Sequence, residues 1–185
     1  MLKKMRGFTL IELLIVVAII GILAALLIPN ALEAIQKAKQ KSAMKAIMTV
    51  STAAVDYITD HGDWTGITQN GPLTLAGTFT AGVATFYIKV LPINDPWNTP
   101  YQAYVGTTIV TLVTGATGTN APGGDDYAMA SFGRNGVSGP YPGSTYTAAA
   151  PEGGLYVVTG MSSFDQDLAA WNGSWICGPR TNVAS

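Results

Sequence analysis

The chain has 185 residues, 48% of them hydrophobic and only 11% charged, with a formal net charge of −1 and a single cysteine, Cys177. That length allows one domain; the low charge is unlike the surface of a soluble cytosolic enzyme, and the apolar content excludes a disordered chain. Charge is unevenly spread: through Lys45 there are seven basic residues (Lys3, Lys4, Arg6, Lys37, Lys39, Lys41, Lys45) against Glu12 and Glu33, whereas the remainder carries three basic and nine acidic residues and offers no basic face to a nucleic acid.

In chain order, Lys3, Lys4 and Arg6 precede an apolar run, Phe8–Ile28. As a helix, its 21 residues span roughly the 30 Å hydrocarbon core of a bilayer. The run is too long for a cleaved secretory signal and ends at Ile28-Pro29-Asn30 without a small-x-small cleavage site. Read as a plain membrane anchor, it leaves Glu12 unexplained. An unpaired carboxylate inside hydrocarbon costs on the order of 3 kcal/mol or more, so a partner and a role are expected for it.

The stretch Gly7-Phe8-Thr9-Leu10-Ile11-Glu12 puts a glycine, an acid and an uninterrupted apolar helix in register. It resembles the processing motif of type IV prepilins and type II secretion pseudopilins. The resemblance implies that residues 1–7 are a leader, that a membrane-embedded prepilin peptidase cuts between Gly7 and Phe8, and that Phe8 is then N-methylated. It also implies a single pass through the bacterial inner membrane over residues 8–28, with the leader cytoplasmic and the rest of the chain periplasmic. The basic residues do not set that orientation by themselves, because Lys37, Lys39, Lys41 and Lys45 follow the span. In a filament, Glu12 of one subunit can pair with the Phe8 ammonium of its neighbour, each charge offsetting the other's desolvation and fixing the axial register. Glu12 and Phe8 are therefore expected to serve assembly, not catalysis.

Gly21 and Pro29 are the weak points of the helix; a proline inside a helix removes one hydrogen bond and kinks or opens the turn before it. After Pro29, Ala43, Ala46, Ile47, Val50, Ala54, Tyr57 and Ile58 recur at three- and four-residue spacing, with Lys37, Lys41, Lys45 and Asp56 on the polar face. The pattern predicts a helix over residues 8–61, its second half lying against an exported head of residues 62–185. Thr108–Val113, Tyr127–Phe132 and Leu155–Thr159 are the strand candidates, rich in β-branched and aromatic residues between glycine-rich loops. The expected class is α+β: a long N-terminal helix packed on a small antiparallel sheet, as in pilins.

Within the head, Asn94-Asp95-Pro96-Trp97-Asn98-Thr99-Pro100-Tyr101 resembles the Asp-Pro-Trp-Gly-Asn-Pro-Tyr segment of major pseudopilins of type II secretion. Phe132-Gly133-Arg134-Asn135-Gly136 is similar to their Leu-Gly-Ala-Asp-Gly loop, and Phe164-Asp165-Gln166-Asp167-Leu168 with Trp171 resembles their C-terminal acidic segment. In that family the two loops clamp a structural calcium ion. Carried over, the ligands are the Phe132 carbonyl, Asn135, Asp165 and Asp167, with Asn135 departing from the family's aspartate and residues 137–163 forming a longer insertion.

No catalytic constellation is expected. His61 is the single histidine, Cys177 has no evident base, and no nucleophile elbow, phosphate loop or dinucleotide fingerprint occurs. Cys177 reads as a small buried apolar group and His61 as a helix-end residue. The resemblance implies a structural subunit of a type II secretion pseudopilus. Its partners would be further copies of itself, the lipid bilayer, the peptidase, an assembly platform, minor pseudopilins and a secretion ATPase. The alternative is a type IV pilin of a surface filament for adhesion, motility or DNA uptake; such pilins often close a C-terminal loop with a disulfide, which a lone Cys177 cannot do.

Overall fold

A computed structural model of the protein describes residues 7–84, 86–113, 115–116, 118–139, 146–147 and 149–180. Of the expected leader, only Gly7 is among them. The chain divides into two compact units, one ending at Gln36 and the other beginning at Lys37. Helix α1, Leu10–His61, contributes its first half to the former and its second half to the latter.

In the first unit α1 is apolar on every side. Leu10 is 81% exposed and Leu26 68%, and no part of its apolar window is buried by protein. A helix that is hydrophobic all round and covered by nothing is suited to lipid. Gly21 and Pro29 lie within it, and the helix is unbroken at both. Because Pro29 has no N–H, the Ala25 carbonyl lacks its ordinary intrahelical donor.

In the second unit one face of α1 is buried: Gln40, Ala43, Ile47, Val50, Ser51, Ala53, Ala54 and Tyr57. These follow the three-and-four spacing that the sequence predicts, while Lys45, Met48 and Val55 stay exposed. Gly62, with φ +84°, ends the helix, its N–H donating to the Ile58 carbonyl at 2.6 Å. A short helix α2, Thr78–Val83, buries Phe79 and Val83. Trp64 packs between the Tyr57 ring at 5.2 Å and the Phe79 ring at 5.6 Å.

The sheet has six strands: β1 (Asn70–Pro72), β2 (Gln102–Val105), β3 (Tyr127–Ser131), β4 (Leu155–Tyr156), β5 (Leu168–Trp171) and β6 (Ser174–Pro179), in the spatial order β1-β2-β3-β5-β6-β4. All neighbours are antiparallel except β4 and β6. The sheet is thus mixed, where the sequence suggests a purely antiparallel one. Ala103, Val105, Tyr127, Met129, Leu168 and Ala170 pack with the buried face of α1. Their alternates Tyr104, Ala128, Ala130 and Ala169 pack on the opposite side with Ile109, Val113, Ala116, Tyr156, Ile176 and Cys177. Both faces are covered, so β2 and β3 are buried at every position.

Two of the three strand candidates need correction. Thr108–Val113 is not a strand: Gly106, at φ +58°, turns the chain into a 3-10 helix over Gly106–Thr111. The Thr108 hydroxyl accepts from the Val105 N–H at 3.2 Å and donates to the Val105 carbonyl at 2.8 Å, a local bonding mode that competes with a sheet ladder. Ile109 and Val113 are fully buried there, so their β-branched character fills a core and signals no strand. Leu155–Thr159 keeps only Leu155 and Tyr156 in the sheet.

Candidate functional site

At the start of α1, Thr9 and Glu12 form a reciprocal cap. The Glu12 carboxylate accepts from the Thr9 backbone N–H at 2.9 Å and from its hydroxyl at 2.7 Å, and the Thr9 hydroxyl accepts from the Glu12 N–H at 3.3 Å. This is a capping box, in which N-cap and third helical residue satisfy each other's free donors. Glu12 therefore has an internal partner in the single chain. The Thr-x-x-Glu spacing marks Thr9 in the sequence as a cap residue, a role that the resemblance of the motif does not give it. Phe8 is 77% exposed, next to Gly7.

A second constellation gathers where β3 ends and β5 begins, at the paired residues Ser131 and Leu168. Three loops meet there. The first, residues 94–100, is organised by Asp95, which is 5% exposed and accepts from the Ser131 hydroxyl at 2.7 Å, the Thr99 N–H at 2.9 Å and the Trp97 N–H at 3.0 Å. The second, residues 132–139, lies against it: a side chain on Gly136 would come within 2.9 Å of the Thr99 hydroxyl. The third, residues 160–167, is clasped to the second. A Cβ on Gly133 would lie 2.6 Å from the Gln166 carbonyl oxygen, and the Arg134 N–H donates to the Phe164 carbonyl at 2.8 Å.

The expected calcium ligands all fall in this cluster, and the side chains of Asn135, Asp165 and Asp167 each accept hydrogen bonds within it. Phe132 is half-buried at the end of β3. Asn135 Oδ1 accepts from the Val137 N–H at 3.1 Å, closing its own turn. Both oxygens of Asp165 are taken by Arg134, Nε to Oδ1 at 2.7 Å and the guanidinium NH2 to Oδ2 at 2.9 Å. Asp167, 8% exposed, accepts at Oδ2 from the Gly139 N–H at 3.1 Å, while its buried Oδ1 has no hydrogen-bond partner among the described residues. Burial pushes its carboxyl up to about 7, with the Gly139 N–H pulling the other way. Calcium takes six to eight oxygens, and a guanidinium seated on Asp165 repels a second cation. Among the described residues no group of three or more His, Cys, Asp or Glu side chains gathers to hold a metal. In this arrangement the set does not fit calcium.

Cys177 is fully buried, its thiol donating to the Asp167 carbonyl at 3.1 Å, and burial raises it to about 12, far from a reactive thiolate. His61 stacks on Tyr57 at 4.2 Å at the end of α1. An open groove lies between Tyr146, Pro151, Trp171, Asn172, Ser174, Trp175 and Ile176; these described lining residues bring no carboxylate, imidazole, thiol or amine.

Residues 2–28 match the family model for the prokaryotic N-terminal methylation motif. The chain is 36% identical over 106 residues to type II secretion system core protein G of Aeromonas hydrophila, covering 54% of this chain and 73% of that protein. It is 36% identical over 103 residues to the protein of the same name from Escherichia coli strain K12, covering 53% and 70%. The Vibrio cholerae protein of that name is 35% identical over 108 residues, covering 55% and 73%. No solved structure matches significantly. A methylation motif in register with the exposed apolar helix, together with relatives matched over most of their length, places the chain in the type II secretion system core protein G family, the major pseudopilins.

Proposed function

We propose that the chain is the repeating subunit of a type II secretion pseudopilus, with a structural and not a catalytic role. The observation that carries this is the coincidence of the methylation motif with a lipid-suited helix. Cleavage after Gly7 frees the Phe8 amine, and the first half of α1 holds the subunit in the inner membrane with its head periplasmic. On assembly, Glu12 exchanges its cap on Thr9 for the Phe8 ammonium of a neighbouring copy. The ammonium neutralises the carboxylate in a low-dielectric setting, whereas the uncharged Thr9 donors solvate its charge and leave it in place. The lone buried Cys177 supports a pseudopilin over a disulfide-closed surface pilin. The helix through Pro29 retains a carbonyl without its usual donor, and we infer that this turn and Gly21 are where α1 yields when subunits pack.

The test is a strain lacking the gene, complemented with wild type or with Glu12→Ala. Wild type restores exoprotein export and forms filaments; Glu12→Ala is inserted and processed but yields no filaments and no export. Normal export from the uncomplemented strain refutes the secretion role, and normal filaments from Glu12→Ala refute the pairing.

A further inference from the structure

We propose that Arg134 stands in for calcium: its guanidinium is the built-in cation that fastens residues 132–139 to residues 160–167, and the head keeps its loops closed without a bound metal. The family reading supplies only the place where calcium is expected, and export assays do not bear on the point.

Three observations converge on this residue. The first is geometry. Arg134 presents two parallel N–H groups to the two oxygens of Asp165, at 2.7 and 2.9 Å, the bidentate fork that makes arginine–carboxylate pairs both strong and directional. The second is the backbone beneath the side chain. The same residue's N–H donates to the Phe164 carbonyl, and Gly133, at φ +64°, has no room for a Cβ against Phe164 and Gln166. The guanidinium is thus rooted on one loop where it already touches the other. An isolated surface ion pair that holds two free-swinging side chains is worth little. This pair, one-third exposed on each side, is anchored at both ends by main chain.

The third is charge. The segment Phe132–Gly136 carries one cation, Arg134, and no acid, and Asn135 is a neutral amide. A fixed cation competes with calcium, and an amide oxygen brings no charge to hold it. Asp165 is thus neutralised from within the chain.

The experiment uses the full chain in detergent micelles. All four tryptophans follow Lys37, so their fluorescence reports melting of the head alone. Wild type is melted in excess calcium chloride and in EGTA, alongside Arg134→Gln and Arg134→Lys. The expected result is one midpoint for wild type in both media. Arg134→Gln should melt about 5 °C lower in both, with Arg134→Lys between them because it keeps the charge without the fork. A wild-type midpoint that rises by several degrees with calcium, or an Arg134→Gln midpoint equal to wild type, overturns the proposal. Should Arg134→Gln not fold, Arg134→Lys and the calcium comparison on wild type still decide.

Discussion

Asp95 and Asp167 are both carboxylates inside the head, and their surroundings differ in a way that has consequences. Among the described residues, Asp95 receives three donors, whereas Asp167 receives one and is left with a buried oxygen that has none. A carboxylate removed from water with too few donors holds its proton more tightly. Asp167 therefore titrates near 7 in the folded head, above its ordinary value of 3.8. Since the folded state binds the proton more strongly than the unfolded chain does, its contribution to stability is full below about pH 4 and is lost as pH rises through about 7. The head should melt several degrees higher at pH 5 than at pH 8. Asp167→Asn, which mimics the neutral carboxyl, should flatten that slope; a slope unchanged in the variant would show that Asp167 is not its source. At this scale the sequence was readable where partners are local, as with Thr9 and Glu12. Arg134 and Asp165 are 31 positions apart, and nothing along the chain announces that they meet.

Among the elements, α1 could be read because its burial repeats over many turns. From Gln40 to Tyr57 the buried residues recur at a spacing that a single helical face explains. The prediction here is quantitative: Ile47→Ala, at a fully buried position, should cost about 3 kcal/mol in urea unfolding followed by tryptophan fluorescence, whereas Lys45→Ala on the exposed side should stay within about 0.5 kcal/mol. The strands were harder because β2 and β3 are covered on both faces and show no alternation of polar and apolar residues. The β5–β6 hairpin did carry a signal. Asn172 and Gly173 take φ +47° and +76°, the left-handed pair that a two-residue hairpin turn needs. The Asn172 side chain reinforces it, accepting from the Tyr127 N–H at 3.0 Å and donating to Asp126 at 2.6 Å. An Asn-Gly step between Trp171 and Ser174 thus marked a hairpin that the neighbouring acidic segment overshadowed. Gly173→Val should destabilise the head by about 2 kcal/mol in the same assay, through backbone strain at the turn.

Taken whole, the molecule joins a helix half with nothing apolar hidden to a head with a covered sheet. The first was legible from composition alone. The second was legible only as a class, because its closure depends on loops returning from distant parts of the chain. The two outermost strands, β1 and β4, are three and two residues long. β1 contains Pro72, which cannot donate a ladder hydrogen bond, and Gly71 at φ +123°, which bends the strand. Pro72→Val restores the missing donor, and the variant should form thioflavin-positive aggregates sooner than wild type on prolonged warming; equal rates would show that the proline has no protective part.

Those stunted borders matter for any protein whose copies are crowded side by side. A complete outer strand is sticky toward its own kind, and in a dense array each neighbour supplies another such border at high local concentration. Ending the sheet in a proline-bearing scrap on one flank and a two-residue scrap on the other keeps that route to amyloid shut.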